Sequence, residues 1–281
     1  MTTQMKPKRP REWFDDDAFW REMYRYMFPE RRFEGAQEEV EKAVALTQPP
    51  GKAALDLCCG PGRCSIALAQ DGFDVTGVDR TRYLLDQARA RAKAARVKVR
   101  WVQQDMRDYV RADSFDLVLS MFTSFGYFDD KQQDLLVLQN ILTSLRPGGA
   151  CLIDVIAKER LAQVFKATSS QSMPDGTTLV ERREVIDDWT RLRNEWILIR
   201  NGRAKTFRFH HTIYSAQELR DRLEHVGFVD VTAYGSLDGD AYGLGSPRLI
   251  MVGRKRDDIR PHQAPAEWSA RSAAMNTTGE R

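Results

Sequence analysis

Leu55-Asp56-Leu57-Cys58-Cys59-Gly60-Pro61-Gly62-Arg63 is the stretch on which the reading of this chain turns. The apolar run from Ala53 to Leu57 has the character of a buried strand. It breaks into a glycine-bracketed turn, and a helical pattern follows from Cys64 to Gln70. Glycine lets backbone approach a ligand because no Cβ intervenes, and open α/β sheets bind ligands at the carboxyl ends of parallel strands. Further on, Phe73-Asp74-Val75-Thr76-Gly77-Val78 reads as a second short strand that ends in Asp79. A carboxylate at that point can take both hydroxyls of a ribose. Strand, glycine turn, helix, strand and acid together describe a nucleoside-binding half.

Two nucleoside ligands compete for that description. A dinucleotide pyrophosphate wants a third glycine three residues after the second, and Ser65 stands there instead. Asp56 at the strand end would repel a pyrophosphate but suits a cation. S-adenosylmethionine carries an ammonium and a sulfonium and has no phosphate, so the loop favours it.

From about Val40 to Arg254 the chain resembles the class I S-adenosylmethionine-dependent methyltransferases, in their small-molecule branch. Asp56 to Gly62 resembles the first motif, Asp79 the ribose-binding acid, and Gln104-Asp105-Met106 the adenine-contacting motif. Phe115-Asp116-Leu117-Val118-Leu119-Ser120-Met121 resembles the fourth strand, and Leu145-Arg146-Pro147-Gly148-Gly149 the turn before the fifth. The resemblance implies S-adenosylmethionine as cofactor, with Asp79 and the adjacent Arg80 at the ribose. It also implies that Asp105 accepts from the adenine amino group while backbone at Met106 meets the ring. Asp56, Leu57, Cys58, Cys59, Gly60 and Gly62, with the carbonyls near Ser120 and Met121, would hold the methionine end. Each acid has a plainer alternative: Asp79 capping the helix that begins near Thr81, and Asp105 closing a turn. Cys58 replaces the first of the family's three alternating glycines, which predicts a negative φ there.

Composition agrees with that reading. A chain of 281 residues is ample for a core. No run reaches the roughly 18 apolar residues of a membrane helix, and Met1 to Arg11 lacks the apolar stretch of a signal peptide. Cys58, Cys59 and Cys64 crowd the glycine loop and Cys151 sits in a strand pattern, which is no disulfide framework and fits a reducing cytoplasm. Their spacing matches no common zinc site, so no metal is expected. Residues 1–11 hold four Lys/Arg and no acid, and residues 254–281 hold six Lys/Arg and four acids. Without them the 43 basic and 40 acidic residues become 33 and 36, a net charge of −3. The body therefore shows no electrostatic footprint for nucleic acid.

Elements alternate as a doubly wound sheet requires. Helical patterns at 34–47, 63–70, 81–95 and 131–145 intersperse with strand patterns near 53–57, 73–78, 97–103, 114–120 and 149–155. Ser215 with Glu218 three residues on is a capping box, and Gly227 ends that helix. Phe228 to Tyr234 and Leu249 to Gly253 follow with no helix between them, so they should pair antiparallel. The expected fold is α/β: a Rossmann-like seven-stranded doubly wound sheet with an antiparallel last strand.

Two additions stand out. Within an insertion at about 170–214, Thr178 to Ile186, Thr190 to Ile199 and Lys205 to Tyr214 read as three antiparallel strands turned by Asp187-Asp188 and Asn201-Gly202. This small sheet is expected to wall the pocket at the cofactor's methyl end, a brace being the alternative. Trp13, Phe14, Phe19, Trp20, Tyr24, Met27 and Phe28 fall near helical spacing up to Pro29. That segment reads as a docked helix or as a lid whose Tyr24, Tyr26, Arg31 or Arg32 reaches the pocket. The chain thus divides into a basic tail (1–11), an N-terminal helical lid (12–33), the methyltransferase domain (34–253) and a second tail (254–281). Both tails read as disordered.

The chemistry is an in-line displacement, so alignment matters most and a base is needed only for a protonated acceptor. His211, on one face with Phe207 and Phe209, is the candidate base, with a hydrogen-bonded core histidine as the plainer reading. Tyr127, after the fourth strand, should border the transfer site, and Lys158 lies at the same end of the sheet. Tyr24, Arg31, Tyr127, Lys158 and His211 are the candidate substrate contacts. Ser120-Met121-Phe122-Thr123 lacks the Asn/Asp-Pro-Pro-aromatic pattern of amino-methylating nucleic-acid enzymes, and no Pro-Cys supplies a thiolate. A small molecule with a nitrogen or oxygen acceptor is the leading expectation. The alternatives are an RNA or protein acceptor, or a non-catalytic cofactor-binding regulator.

Overall fold

The computed structural model describes residue 9 and residues 12–257. A single 3₁₀ turn, Trp13–Asp15, leads into α1 (Asp17–Met27), α2 (Glu30–Glu34) and α3 (Ala36–Thr47). Strands and helices then alternate: β1 (Ala53–Leu57), α4 (Arg63–Gln70), β2 (Asp74–Asp79), α5 (Arg82–Ala95) and β3 (Arg100–Gln103). Next come β4 (Phe115–Ser120), α6 (Lys131–Ser144), β5 (Leu145–Val155) and α7 (Lys158–Val164). Four strands follow, β6 (Thr168–Ser172), β7 (Thr178–Ile186), β8 (Arg191–Arg200) and β9 (Arg203–Thr212). The described chain closes with α8 (Ala216–Val226), β10 (Val229–Tyr234) and β11 (Leu249–Arg254).

The main sheet has the order β10-β11-β5-β4-β1-β2-β3. β11 runs antiparallel to both β5 and β10, and the remaining pairs are parallel. Period-2 alternation divides the core into two layers. Leu55 and Leu57 of β1 pack with Val137, Leu138 and Ile141 of α6 and Leu219 and Leu223 of α8. Ala54 and the β4 residues Leu117 and Leu119 pack with Val40 and Ala43 of α3 and Ala67 and Leu68 of α4. Both faces of the parallel strands are therefore covered, as a parallel sheet demands. The strand order reverses between β1 and β4, which opens a crevice at their carboxyl ends.

Local signals act where the sequence places them. The Ser215 hydroxyl accepts from Glu218 N and the Glu218 carboxylate accepts from Ser215 N, while Gly227 ends α8 at φ 108°. Asn201 (φ 51°) and Gly202 (φ 69°) make the tight turn between β8 and β9. The opposite turn takes four residues, Asp187 to Thr190, of which Asp187, Asp188 and Trp189 are left-handed.

The second sheet, β6-β7-β8-β9, has four strands where three are expected, and it starts at Thr168. β6 reads Thr-Ser-Ser-Gln-Ser, a polar edge strand with no apolar alternation to announce it. The apolar face of this sheet, Leu179, Leu198, Phe207 and Phe209, buries Phe19 and Met23 of α1. β11 ends at Arg254, and Lys255 exchanges backbone hydrogen bonds with Gly148 and Gly149. The remainder of both tails lies outside the described residues, as does His262.

Gly62 carries a steric demand of its own. It sits at φ 82°, and a Cβ there would come within 2.6 Å of the Trp101 ring and 3.0 Å of Ala88 Cβ. Gly62→Ala combines a left-handed penalty with overpacking against an aromatic ring. It should lower stability by about 3 kcal/mol, read as a fall in the urea midpoint at constant slope.

Candidate functional site

The carboxyl ends of β1, β2, β3 and β4 open into one cavity of about 970 Å³, counted with its mouth. Cys58, Gly60, Asp79, Asp105, Met106 and Met121 line it from the strand ends. Trp13, Phe14, Trp20, Met27 and Phe28 line it from the N-terminal segment.

The glycine loop folds back on β2. Cys59 N donates to Val78 O at 3.0 Å and Gly62 N to Cys59 O at 3.0 Å. This reversal is so abrupt that Cys58 takes φ 60°, not the negative value expected of a non-glycine residue. A left-handed cysteine costs roughly 1–2 kcal/mol, and the loop's hydrogen bonds hold it in place. Its Sγ lies 3.4 Å from Met106 Sδ, joining the first and third strand ends. Burial pushes the Cys58 and Cys59 thiols well above their ordinary range, so neither serves as a thiolate at neutral pH.

Asp79 faces the cavity from the tip of β2. One carboxylate oxygen accepts from Gly60 N at 2.9 Å and the other from Thr81 N at 2.8 Å. The Thr81 side chain bonds to the same carboxylate, which leaves one of its four acceptor positions open. Asp56 does not line the cavity; its carboxylate accepts from the Ser65 hydroxyl at 2.6 Å, and burial raises it to about 6. Leu57, Cys59, Gly62 and Ser120 likewise stand behind the lining, and the Ser120 hydroxyl is buried without a partner.

Asp105 is the centre of a buried ion network. Oδ1 accepts from Arg107 N and Nε, both at 2.9 Å. Oδ2 accepts from Arg107 Nη2 at 2.7 Å and Arg80 Nη1 at 3.1 Å. Burial pushes this carboxyl up, but the bonds and charge of Arg107, helped by Arg80, outweigh burial and hold it below its usual range. Arg107 also grips Glu12, at 3.0 and 2.5 Å, and Arg80 pairs with Asp15. The network thus ties the N-terminal segment to the ends of β2 and β3. Nothing in the local sequence around Glu12 or Arg107 signals it.

The remaining candidates separate. Tyr127 lines the cavity, and burial raises its hydroxyl to about 12. His211 packs against the Tyr127 ring at 5.0 Å, away from the cavity lining, with Nδ1 at 3.4 Å from the Asn194 amide. Tyr24 takes a bond from Arg91, Lys158 pairs with Glu218 at 2.6 Å, and Arg31 is exposed; none of the three lines the cavity. Among the described residues the lining draws nothing from β6 to β9. That sheet's apolar cluster meets the cavity through lining residues of other elements, Trp13 (stacked on Phe209 at 4.7 Å), Trp20, Met27 and Tyr127, so it braces the wall instead of forming it.

Burial, with the charge of His210 adding, lowers the His211 imidazole from 6.5 to about 4. The unfolded chain then binds more protons than the folded one between those values. His211 costs nothing above pH 6.5 and removes stability as the pH falls toward 4, by up to about 3 kcal/mol. Asp56 and Asp134, both raised to about 6 by burial, act in the opposite sense, so the readout is a difference. Between pH 7 and pH 5, His211→Gln should lose about 2 kcal/mol less than the parent chain in urea titrations.

Residues 54–149 match a family model described as a methyltransferase domain. GWCH70_2453 of Geobacillus sp. (strain WCH70), a methyltransferase by provisional assignment, is 29% identical over 248 residues, covering 86% of this chain and 99% of that protein. Among solved structures, an S-adenosylmethionine-dependent methyltransferase from Clostridium acetobutylicum ATCC 824 aligns with a TM-score of 0.71. It covers 85% of this chain and 100% of its own at 16% identity. The sugar N-methyltransferase KedS8 from Streptoalloteichus sp ATCC 53650 aligns with a TM-score of 0.63 over 92% of this chain and 98% of its own, at 20% identity. At these identities the two structures establish a shared fold. Among the described residues no helix is long and apolar enough to cross a membrane.

Proposed function

We propose that this chain, whose residues 54–149 match a methyltransferase domain, transfers a methyl group from S-adenosylmethionine to a nitrogen or oxygen atom of a small molecule. The observation that carries this reading is the roof. Five apolar side chains of the N-terminal segment cover the cavity, and Glu12 and Asp15 fasten that segment to Arg107 and Arg80. A concave, largely apolar cavity of this size suits a small acceptor. The net charge of −3 outside the terminal segments supports the same reading.

The residues present fit the cofactor. Asp79 brings a carboxylate with one open acceptor position to the lining, which suits one ribose hydroxyl, and a second hydroxyl would take the position that the Thr81 side chain holds. Gly60 brings bare backbone to the lining, and no side chain there reproduces a phosphate cradle. All four acceptor positions of Asp105 are filled, so it would accept from an adenine amino group only by giving up Arg80. Gln104 and the backbone at Met106 stand beside it in the lining.

The cofactor supplies a sulfonium-activated methyl group, so its thioether leaves without an acid. The chain's task is then alignment, and a fixed buried orientation can contribute about 7–11 kcal/mol. Tyr127 keeps its proton and can donate to the acceptor molecule. His211 stands outside the lining, so an amine that arrives neutral needs no proton removed by the chain, which supports nitrogen over oxygen.

Incubating a metabolite, RNA and protein extract with methyl-labelled cofactor tests the proposal. Label in the small-molecule fraction supports it; label confined to RNA or protein would overturn it.

A further inference from the structure

Three guanidiniums converge on one ring at the edge of the cavity. Arg32, Arg248 and Arg63 lie 3.9, 5.5 and 5.9 Å from the centroid of Phe122. Phe122 lines the cavity and is 36% exposed. Its position is held against backbone preference: Phe122 and Thr123 sit at φ 62° and 58°. The Asp154 carboxylate accepts from Phe122 N at 2.9 Å and its carbonyl accepts from Thr123 N at 2.8 Å. Bulky and β-branched residues tolerate that conformation only where their surroundings enforce it.

Two carboxylates answer these three charges. Glu39 pairs with Arg63, and Asp154 pairs with Arg248. Among the described residues Arg32 has no carboxylate partner, and its Nε is buried without a hydrogen-bond acceptor. Burial, together with the charges of Arg63, Arg31 and Arg248, holds the guanidinium below its usual range. The charge of Glu39, which pairs with Arg63, offsets this only in part, so a half-buried cation with an orphaned donor calls for an anion, and an arginine fork fits carboxylate and phosphate oxygens.

We propose that Arg32, backed by Arg63 and Arg248, binds a carboxylate or phosphate carried by the methyl acceptor, so that the substrate is a small anion. This rests on the methyl-transfer reading of the cavity. The cluster and the cavity share Phe122, so an anionic group held by the cluster lies at the edge of the cavity in which the acceptor is methylated. The same cluster pulls a negatively charged substrate toward a body whose net charge is itself negative.

Titration calorimetry with inorganic phosphate and with acetate, on the chain alone and on the chain saturated with S-adenosylhomocysteine, tests the site. Both anions should bind in both states, about tenfold more weakly to Arg32→Gln, with Arg32→Lys intermediate because it keeps the charge but not the fork. Arg32→Gln should leave S-adenosylhomocysteine affinity within about twofold. Among amines that differ only in bearing a carboxylate, the parent chain should methylate the anion with about tenfold higher kcat/KM, and Arg32→Gln should erase that preference. Equal phosphate binding by the parent and Arg32→Gln would overturn the inference. So would a variant that loses S-adenosylhomocysteine but keeps 5′-methylthioadenosine, because the cluster would then hold the cofactor's own carboxylate. A parent chain that bound phosphate but no S-adenosylhomocysteine would remove the cavity reading instead, so the two failures are distinguishable.

Discussion

Arg107→Met should destabilise the chain by about 3 kcal/mol, the low end of the usual cost of breaking a buried ion pair, because Arg80 still reaches Asp105 at 3.1 Å and Glu12 at 3.4 Å. The Arg107 side chain is 1% exposed, and it is the shared partner of Glu12 and Asp105, themselves only 17% and 12% exposed. Its guanidinium also lies over the Phe128 ring at 4.3 Å, a contact that methionine's apolar stem partly preserves. The loss should therefore reflect charge and hydrogen bonding more than packing. Urea denaturation should show a lower midpoint, and Glu12→Gln introduced into Arg107→Met should recover part of it by leaving Arg80 a single carboxylate, Asp105, to answer on that side. Because Glu12 anchors the roof, the same variant should also weaken S-adenosylhomocysteine binding. A loss below about 1 kcal/mol would mean that the network is solvated and does not fasten the N-terminal segment.

Asp79→Ala should reduce S-adenosylhomocysteine affinity by about 100-fold or more, the scale of two lost hydrogen bonds to a charged acceptor. It also strands Gly60 N and Thr81 N, so some stability is lost with it. The control is Asp74→Asn, at the exposed opposite end of the same strand, which should change neither quantity. Asp79→Asn is less informative than it looks, because its amide must point a donor at one of two backbone donors. If Asp79→Ala bound the ligand as the parent does, the plainer role as a helix cap would be its whole role.

What could be read in the sequence was what local chemistry decides. The parallel strands, the Gly60 turn, the Ser215 capping box, the Asn201-Gly202 hairpin and the antiparallel β11 each follow from a few adjacent residues. What could not be read depends on distant partners. Glu12 and Arg107 are separated by most of the first half of the sheet and look, residue by residue, like solvated surface. Arg248 and Asp154 meet only because β11 lies beside β5. β6 has no apolar face, so no periodicity betrays it. Cys58 is left-handed because the turn is abrupt, and its small side chain, which argues for a negative φ, carries no sign of that. His211 shares a face with Phe207 and Phe209 as its alternation requires, but alternation says nothing about what stands between it and the cavity. Tyr127 stands there.

The central claim is that the cavity over β1, β2 and β4 holds a sulfonium nucleoside and not a phosphate-bearing one. Isothermal titration of the full chain with S-adenosylhomocysteine, and in parallel with a nicotinamide dinucleotide, tests it most directly. The account predicts one site per chain for the first and no measurable heat for the second. Binding of the dinucleotide in place of S-adenosylhomocysteine would contradict it.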